Sequence, residues 1–177
     1  MPDYRRNRVP GGTFFFTVNL RNRRASLLVT QIDALREAVR RARARAPFHI
    51  DAWVVLPDHM HCLWTLPEGD ADFPGRWWSI KTTFTKSMPA GERRSLVMQS
   101  RGERGIWQRR YWEHTIRDDD DYAAHMDYTH FNPVKHGLVE HPSDWPYSSF
   151  HRCVACGIYP AGWLGGGSQP PVAGERQ

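Results

Sequence analysis

The order of apolar and polar positions divides the first part of the chain into a strand, a helix and a hairpin. Residues 13–20 are rich in aromatic and β-branched side chains and follow two glycines, which predicts a strand. Between residues 30 and 45 the apolar positions recur every three or four residues, as on one face of a helix. The apolar runs 48–56 and 59–66 lie on either side of Pro57-Asp58 and predict a hairpin.

The rest of the chain has the pattern of two helices and one strand. Residues 74–88 carry apolar side chains at helical spacing, whereas residues 89–105 are polar and contain glycine, which favours a mobile loop. Residues 107–117 predict a strand. Asp118 is placed to cap the next helix. We expect that helix to end just before Pro133, because proline disfavours helical geometry in the residue that precedes it.

This order of elements predicts an α+β fold in which helices pack on an antiparallel sheet. A chain of 177 residues suits one domain. We expect residues 1–163 to form that domain and residues 164–177, which are rich in Gly and Pro, to be a flexible tail. The apolar runs are too short to cross a bilayer, and the charged N-terminus lacks the apolar stretch of a signal peptide. We therefore expect a cytoplasmic protein without membrane contact.

The charge of the chain indicates which class of molecule it binds. The net charge is +5, and nearly all basic residues are arginine, whose planar guanidinium donates two parallel hydrogen bonds to phosphate oxygens. The arginines cluster in three groups, which are Arg5, Arg6 and Arg8, then Arg21, Arg23 and Arg24, then residues 40–45. This clustering favours a polyanionic partner over a small neutral substrate.

The cysteines do not indicate a disulfide framework. There are three of them, Cys62, Cys153 and Cys156, so they cannot all pair. Cys153 and Cys156 have the spacing of half a zinc knuckle, and His151 is a third ligand candidate. No second cysteine pair completes the pattern, and ordinary thiols are the favoured interpretation.

Two pairs of residues are candidates for chemistry. His59 and His61 alternate along a predicted strand, so both imidazoles point to one face, as two ligands of a divalent metal do. Taken alone, two histidines side by side on a solvated sheet face are the more common arrangement. Tyr128 and Asn132 share a helix face, where the phenol is a candidate nucleophile and the amide oxygen a candidate third ligand for Mg²⁺ or Mn²⁺. A core tyrosine with a bonded hydroxyl is the alternative.

These residues lie in segments that resemble a known family. The run Trp-Val-Val-Leu-Pro-Asp-His-Met-His at residues 53–61 is similar to the histidine motif of the HUH single-tyrosine transposases. Residues 107–114 and Asp-Tyr-Thr-His-Phe-Asn-Pro-Val-Lys-His-Gly-Leu-Val at residues 127–139 resemble the REP-associated branch of that family. Residues 5–20 and 144–151 are similar to its beginning and end. The resemblance covers roughly residues 4–163, and several motifs in order make it specific.

The resemblance implies a fold and an activity. The fold is an antiparallel four- to five-stranded sheet of the ferredoxin-like or RRM-like HUH endonuclease type, with the histidines on a central strand. The activity is that of a metal-dependent tyrosine DNA endonuclease and strand transferase, which attacks a DNA phosphate and stays joined to the 5′ side. By motif, His59, His61 and Asn132 hold Mg²⁺ or Mn²⁺, and Tyr128 is the nucleophile. The substrate it implies is single-stranded DNA at repetitive extragenic palindromic (REP) hairpins.

The remaining expectations concern DNA contacts, assembly and alternatives. Candidate DNA-binding residues are Arg5, Arg6, Arg8, Arg109, Arg110 and Lys135. Thr129, Cys153 and Trp78 depart from the family pattern and affect substrate contacts more than catalysis. We expect a monomer, with a dimer as the second option. The alternatives in function are a non-catalytic repeat-DNA-binding protein descended from a transposase, and a zinc-dependent hydrolase that uses His59, His61 and a cysteine.

Overall fold

Four antiparallel strands form one sheet at the centre of the molecule. The computed structural model describes residues 6–91 and 93–166. The strands lie in the spatial order β2-β3-β1-β4, and every neighbouring pair is antiparallel. Their bounds are Thr13–Asn19 for β1, His49–Val55 for β2, His59–Thr65 for β3 and Trp112–Thr115 for β4. The expected α+β fold with an antiparallel sheet is therefore confirmed, with four strands.

Helices cover both faces of this sheet. The helices are α1 (Leu27–Thr30), α2 (Ile32–Arg45), α3 (Phe73–Ser87), α4 (Leu96–Ser100), α5 (Asp119–Lys135) and α6 (Phe150–Ala155), with a 3₁₀ turn at Pro142–Asp144. One face packs against α2 and α3 through a core that includes Phe14, Phe16 and Trp64. The other face packs against α5 through Phe15 and Leu63. Consecutive residues of a strand thus pack in two separate cores, because their side chains point to opposite faces of the sheet.

The middle of the chain differs from expectation in two places. Residues 89–105 contain the short helix α4, which Ser95 caps by accepting from the N–H of Met98 at 3.3 Å. The strand expected over residues 107–117 is reduced to β4, and a single bridge joins Trp107 to Leu20. Because β4 lies at the sheet edge, it has one neighbour only, and its pairing with β1 spans four residues.

The helix expected to end before Pro133 continues to Lys135. Proline removes one backbone hydrogen bond, but in the last turn the loss is small, and Asn132 and Pro133 are both buried. The actual end is set by Gly137, whose φ is 67°. Its N–H bonds the carbonyl of Val134 at 2.9 Å, and that of Leu138 bonds Pro133 at 2.9 Å, which is a Schellman arrangement.

The segment after α5 returns to the sheet and covers its other edge. The N–H of Val55 bonds the carbonyl of Tyr147 at 2.9 Å, and the N–H of Ser149 bonds that of Trp53 at 2.8 Å. These bonds protect β2 from pairing with another chain. Residues 167–177, most of the expected tail, lie outside the described residues. No helix in the described part of the chain is long and apolar enough to span a membrane.

Candidate active site

Two histidines lie on the sheet face that α5 covers. Alternation along β3 turns His59 and His61 to the same side, and their ring centroids are 5.1 Å apart. His61 lies opposite Thr17 of β1 and is fully buried, and only 2% of His59 is exposed. The shared face expected from the spacing is therefore confirmed, whereas the solvated face of the alternative interpretation is not found.

Each of the two imidazoles is oriented by a contact at Nδ1. The carboxylate of Asp58 accepts from Nδ1 of His59 at 2.8 Å, and the Thr17 hydroxyl lies 2.9 Å from Nδ1 of His61. The bond to Asp58 leaves the lone pair of His59 on Nε2. Arg23 pairs with Asp58 at 2.6 Å. Burial raises the pKa of Asp58, but the hydrogen bond and charge of His59 and the charge of Arg23 hold it below its ordinary value.

The donor set fits a divalent metal ion. Nε2 of His59 is buried and has no hydrogen-bond partner within residues 6–91 and 93–166. A buried polar atom left in this state costs about 1–3 kcal/mol, so native structures usually provide it with a partner. Imidazole nitrogen is a common metal ligand, and the Nδ1 contact with a carboxylate is the usual support for such a ligand.

Tyr128 and Asn132 lie one helical turn apart near the end of α5. The Tyr128 ring meets the His61 ring edge-on, with centroids 5.3 Å apart, and 5% of Tyr128 is exposed. Asn132 is fully buried. The N-terminus of the same helix is capped as expected, since Asp118 accepts from the N–H of Asp121 at 2.8 Å. Helix α5 therefore brings the phenol against the histidine face of the sheet.

Lys135 contacts the phenol directly. Its ammonium donates to the Tyr128 oxygen at 3.0 Å and lies 4.6 Å from the centre of the Tyr128 ring. From the sequence, Lys135 was predicted to be a DNA contact, and its contact with Tyr128 was not predicted. The spacing of seven residues, which is two helical turns, was the available signal. His136 was also missed, and its ring lies 5.0 Å from that of His59.

Two other tyrosines, Tyr122 and Tyr111, are engaged elsewhere. The Tyr122 hydroxyl donates to Asp51 at 2.9 Å, and burial together with the Asp51 charge raises the pKa of Tyr122 well above its usual range. Tyr111 packs in the core on the opposite face of the sheet, where its hydroxyl accepts from Arg6. Among the three, Tyr128 is the tyrosine whose ring contacts a site histidine.

A second cluster, not expected from the sequence, joins β4 to α5. Ligand-type atoms of His114, Asp121 and His125 lie within 4.8 Å of one another. Nδ1 of His125 donates to the Asp121 carbonyl at 2.8 Å. The Asp121 carboxylate accepts from His114 at 2.8 Å and from the N–H of Arg117 at 3.0 Å. These hydrogen bonds clamp β4 to the first turns of α5.

The cysteines lie apart from the histidine site. Cys62 follows His61 but points into the opposite core, and burial raises the pKa of its thiol well above the ordinary value. Cys153 is buried, Cys156 is exposed, and His151 bonds the Trp145 carbonyl at 3.0 Å. In the part of the chain that the structure describes, no cysteine belongs to a cluster of three metal-ligating side chains. Within the described residues, therefore, neither the zinc-knuckle nor the zinc-hydrolase interpretation has the cysteine that would complete its set of ligands.

The candidate DNA-binding arginines lie on the surface. Arg6 is half-buried and lies 4.5 Å from the Tyr111 ring, with Glu113 at 4.0 Å. Arg8 is exposed, as are Arg109 and Arg110 just before β4. Arg5 lies outside the described residues. The structure leaves the roles of these side chains as predictions.

Comparison with known proteins identifies the family to which this chain belongs. No protein-family model matches the chain. A REP-associated tyrosine transposase of Escherichia coli (strain K12) is 54% identical over 165 residues, which is 93% of this chain and 92% of that protein. The chain belongs to the REP-associated tyrosine transposases. A Haemophilus influenzae protein that provisionally carries the same family name is 46% identical over 176 residues, 99% of each chain.

A solved structure supports the same assignment at the level of the fold. It is described as a REP-associated tyrosine transposase bound to a REP hairpin, and its sequence is 52% identical to this chain. The TM-score is 0.85, and the match covers 100% of this chain and 99% of the other. The architecture described above, a four-stranded antiparallel sheet with helices on both faces, is therefore that of the family.

Proposed function

We propose that this transposase cleaves and rejoins single-stranded DNA at REP hairpins, through a covalent 5′-phosphotyrosine on Tyr128. The observation that carries the proposal is the contact between the Tyr128 ring and His61, one of two buried histidines that share a sheet face. The E. coli relative supports the reaction class, and the solved relative bound to a REP hairpin supports the substrate. The protein would act as a monomer on cytoplasmic DNA.

His59, His61 and Asn132 would hold one Mg²⁺ or Mn²⁺ ion. The two imidazoles are neutral nitrogen ligands, and the Asn132 amide adds a hard oxygen donor. When bound, such an ion polarises a phosphoryl oxygen and offsets its developing charge. Asp58 and Thr17 keep the two histidine rings in place through their contacts at Nδ1.

Tyr128 would supply the nucleophile. Its phenol oxygen attacks the scissile phosphorus, the bond from phosphorus to the 3′ oxygen breaks, the phenol loses its proton, and the 3′ oxygen takes one up as a 3′-OH. The phosphotyrosine retains the energy of the phosphodiester, so a 3′-OH can attack it and restore the DNA strand. No nucleotide cofactor is needed, because bond-making and bond-breaking balance.

Lys135 would offset the negative charge on the phenol oxygen. Its ammonium already donates to that oxygen at 3.0 Å. Charge-assisted hydrogen bonds of this kind are about twice as strong as neutral ones. The same contact helps the phenol oxygen to attack in the cleavage step and to leave in the rejoining step, so Lys135 would act in both directions.

The test is to trap the covalent adduct on a single-stranded oligonucleotide that carries a REP hairpin, with Mn²⁺ present. We expect wild type to form the adduct, and peptide mass spectrometry to place it on Tyr128. Tyr128→Phe should form none, whereas Tyr122→Phe, which loses only the bond to Asp51, should keep it. An adduct on any other residue, or one formed by Tyr128→Phe, would refute the assignment of Tyr128.

A further inference from the structure

A groove with basic walls runs along the outer surface between α2 and α3. Its volume is about 430 Å³, and it is lined from one side by α2 and from the other by α3. Arg41 and Arg45 belong to the arginine group at residues 40–45, and Lys86 reaches the groove from α3. Four hydroxyl side chains, Ser79, Thr82, Thr83 and Ser87, line the same space.

The charge of the groove is complementary to a polyanion. Three cations and one anion, Glu37, line it, which gives a net charge of +2. Glu37 pairs with Arg41 at 2.6 Å. Arg45 and Lys86 are exposed, and neither forms an ion pair with an acidic residue in the described ranges 6–91 and 93–166. Arginine and lysine beside serine and threonine hydroxyls are the usual partners of nucleic-acid phosphates.

A tryptophan at the groove indicates contact with a base as well as with phosphates. Trp78 is 69% exposed, whereas its neighbour Trp77 is fully buried in the core. Arg41, Arg45 and Lys86 line the same groove as this indole. Single-stranded nucleic acids bind where a cationic groove holds the backbone and an aromatic face stacks on a base. A duplex offers no unpaired base, so the exposed indole favours a single strand.

The groove lies on the other side of the sheet from the nucleophile. Helices α2 and α3 pack on the core of Phe14, Phe16 and Trp64, whereas Tyr128 belongs to the core on the opposite face. A strand in the groove is therefore not the segment whose phosphate meets Tyr128. The geometry points to a second nucleic-acid-binding surface, in which Arg41, Arg45 and Lys86 bind the phosphates of a single DNA strand and Trp78 stacks on a base.

This inference rests on the proposed function for the identity of the ligand, because a protein that processes single-stranded DNA has unpaired flanking strands nearby. The groove would hold such a strand while the hairpin is processed on the other face. Trp78, which departs from the family pattern, would supply the stacking contact.

The experiment measures binding of an unstructured 15-nucleotide DNA strand, labelled with a fluorophore, to the full-length Tyr128→Phe variant by fluorescence anisotropy over a salt series. We expect R45E/K86E to weaken binding at least tenfold and to reduce the slope against log salt by about 0.7 per lost phosphate contact. Trp78→Ala should weaken it roughly tenfold, as loss of one stacked base does. R94E/R101E, which makes the same change in charge at two exposed arginines near α4, is the matched control and should change it less than threefold.

The outcomes separate the two proposals. With Tyr128 intact, R45E/K86E should still nick a minimal REP hairpin without flanking DNA at the wild-type rate. Equal losses of strand binding in R45E/K86E and R94E/R101E, or no loss in either, would overturn the groove and leave the nuclease untouched. If the wild type binds the strand in the groove but forms no adduct with any REP hairpin, the proposed function fails and the groove stands.

Discussion

The ammonium of Lys135 lies 3.0 Å from the phenol oxygen of Tyr128, seven residues earlier on the same helix. This contact exists because α5 continues through Pro133 to Lys135, and Gly137 terminates it two residues later. If the helix ended at Asn132, Lys135 would not lie on the helix face that carries Tyr128. The last turn of α5 therefore belongs to the candidate active site, and it includes Pro133.

Replacement of Lys135 by methionine should slow DNA cleavage while leaving DNA binding nearly unchanged. The variant keeps the aliphatic stem but removes the cation that offsets charge on the phenol oxygen, and loss of one preorganised donor of this kind costs about 10²–10³ in rate. The measurement is the single-turnover nicking rate on a REP hairpin, together with the Kd of the same hairpin for each variant in the Tyr128→Phe background.

Lys135→Arg supplies the control, because arginine keeps the charge and should recover part of the rate. A contact made only with DNA phosphate would give a different result. In that case Lys135→Met would weaken hairpin binding and flatten its salt dependence by about one unit of slope, and the rate at saturating DNA would be unaffected.

Asp58→Asn should weaken metal binding about 10–100-fold, as expected when the carboxylate that orients a histidine ligand is lost. Asp58 accepts a hydrogen bond from Nδ1 of His59 at 2.8 Å. The asparagine amide that replaces this carboxylate carries no negative charge. Titration calorimetry with Mn²⁺ measures the effect directly, without DNA. Asp33→Asn, at an exposed position of α2, is the matched control. Unchanged Mn²⁺ affinity in Asp58→Asn, or affinity that survives in His61→Ala, would count against the site.

The parts of the structure that the sequence predicted depend on local rules. Alternation along a strand is enough to place His59 and His61 on one face, and the capping rule is enough to identify Asp118 as the N-cap of α5. The predicted end of α5 near Asn132 is wrong, because Gly137, which adopts the positive φ of a helix terminator, is a stronger stop signal than Pro133. The intrinsic conformational preference of a residue is overridden where tertiary packing buries that residue.

The contacts that the sequence did not predict depend on how segments come together in the fold. The clamp between β4 and α5 joins His114 to Asp121, seven residues apart, where the chain passes from the strand to the helix. The cover of β2 by residues 147–149 joins positions more than 90 residues apart. Neither contact produces a periodic pattern of residues in the sequence. The groove between α2 and α3 was visible only as two unrelated features, the arginine group at residues 40–45 and the unusual Trp78.

Asp121→Ala should destabilise the protein by about 3 kcal/mol. The carboxylate, which is nearly buried, accepts from His114 and from Arg117, and its removal leaves those donors unsatisfied. Urea unfolding measures the change in the free energy of unfolding. Asp120→Ala removes an exposed carboxylate from the same helical turn and should cost no more than about 0.5 kcal/mol. Equal costs for the two variants would show that the clamp contributes little.

The stability of the wild-type protein should rise between pH 8 and pH 10.5 relative to Lys81→Met. Lys81 is mostly buried on α3, where its ammonium donates to the Gln108 carbonyl at 3.2 Å and lies 5.2 Å from the Tyr111 ring. Burial, with a smaller effect of the Arg6 charge, lowers the pKa of Lys81 from 10.5 to about 8. In that interval the unfolded chain binds more protons than the folded protein, so the free energy of unfolding increases with pH.

The comparison is made by urea unfolding of both proteins at several pH values from 7 to 10.5. At pH 7 the methionine variant should be the more stable, because the wild type carries the full cost of a buried cation. The difference should shrink by about 3 kcal/mol between pH 7 and pH 10.5, since the pKa of Lys81 falls from 10.5 to about 8 on folding and one pKa unit corresponds to about 1.4 kcal/mol. Lys86→Met, which removes an exposed lysine from the same helix, reports the general effect of losing a lysine. Parallel profiles for wild type and Lys81→Met would show that Lys81 keeps its ordinary titration in the folded protein.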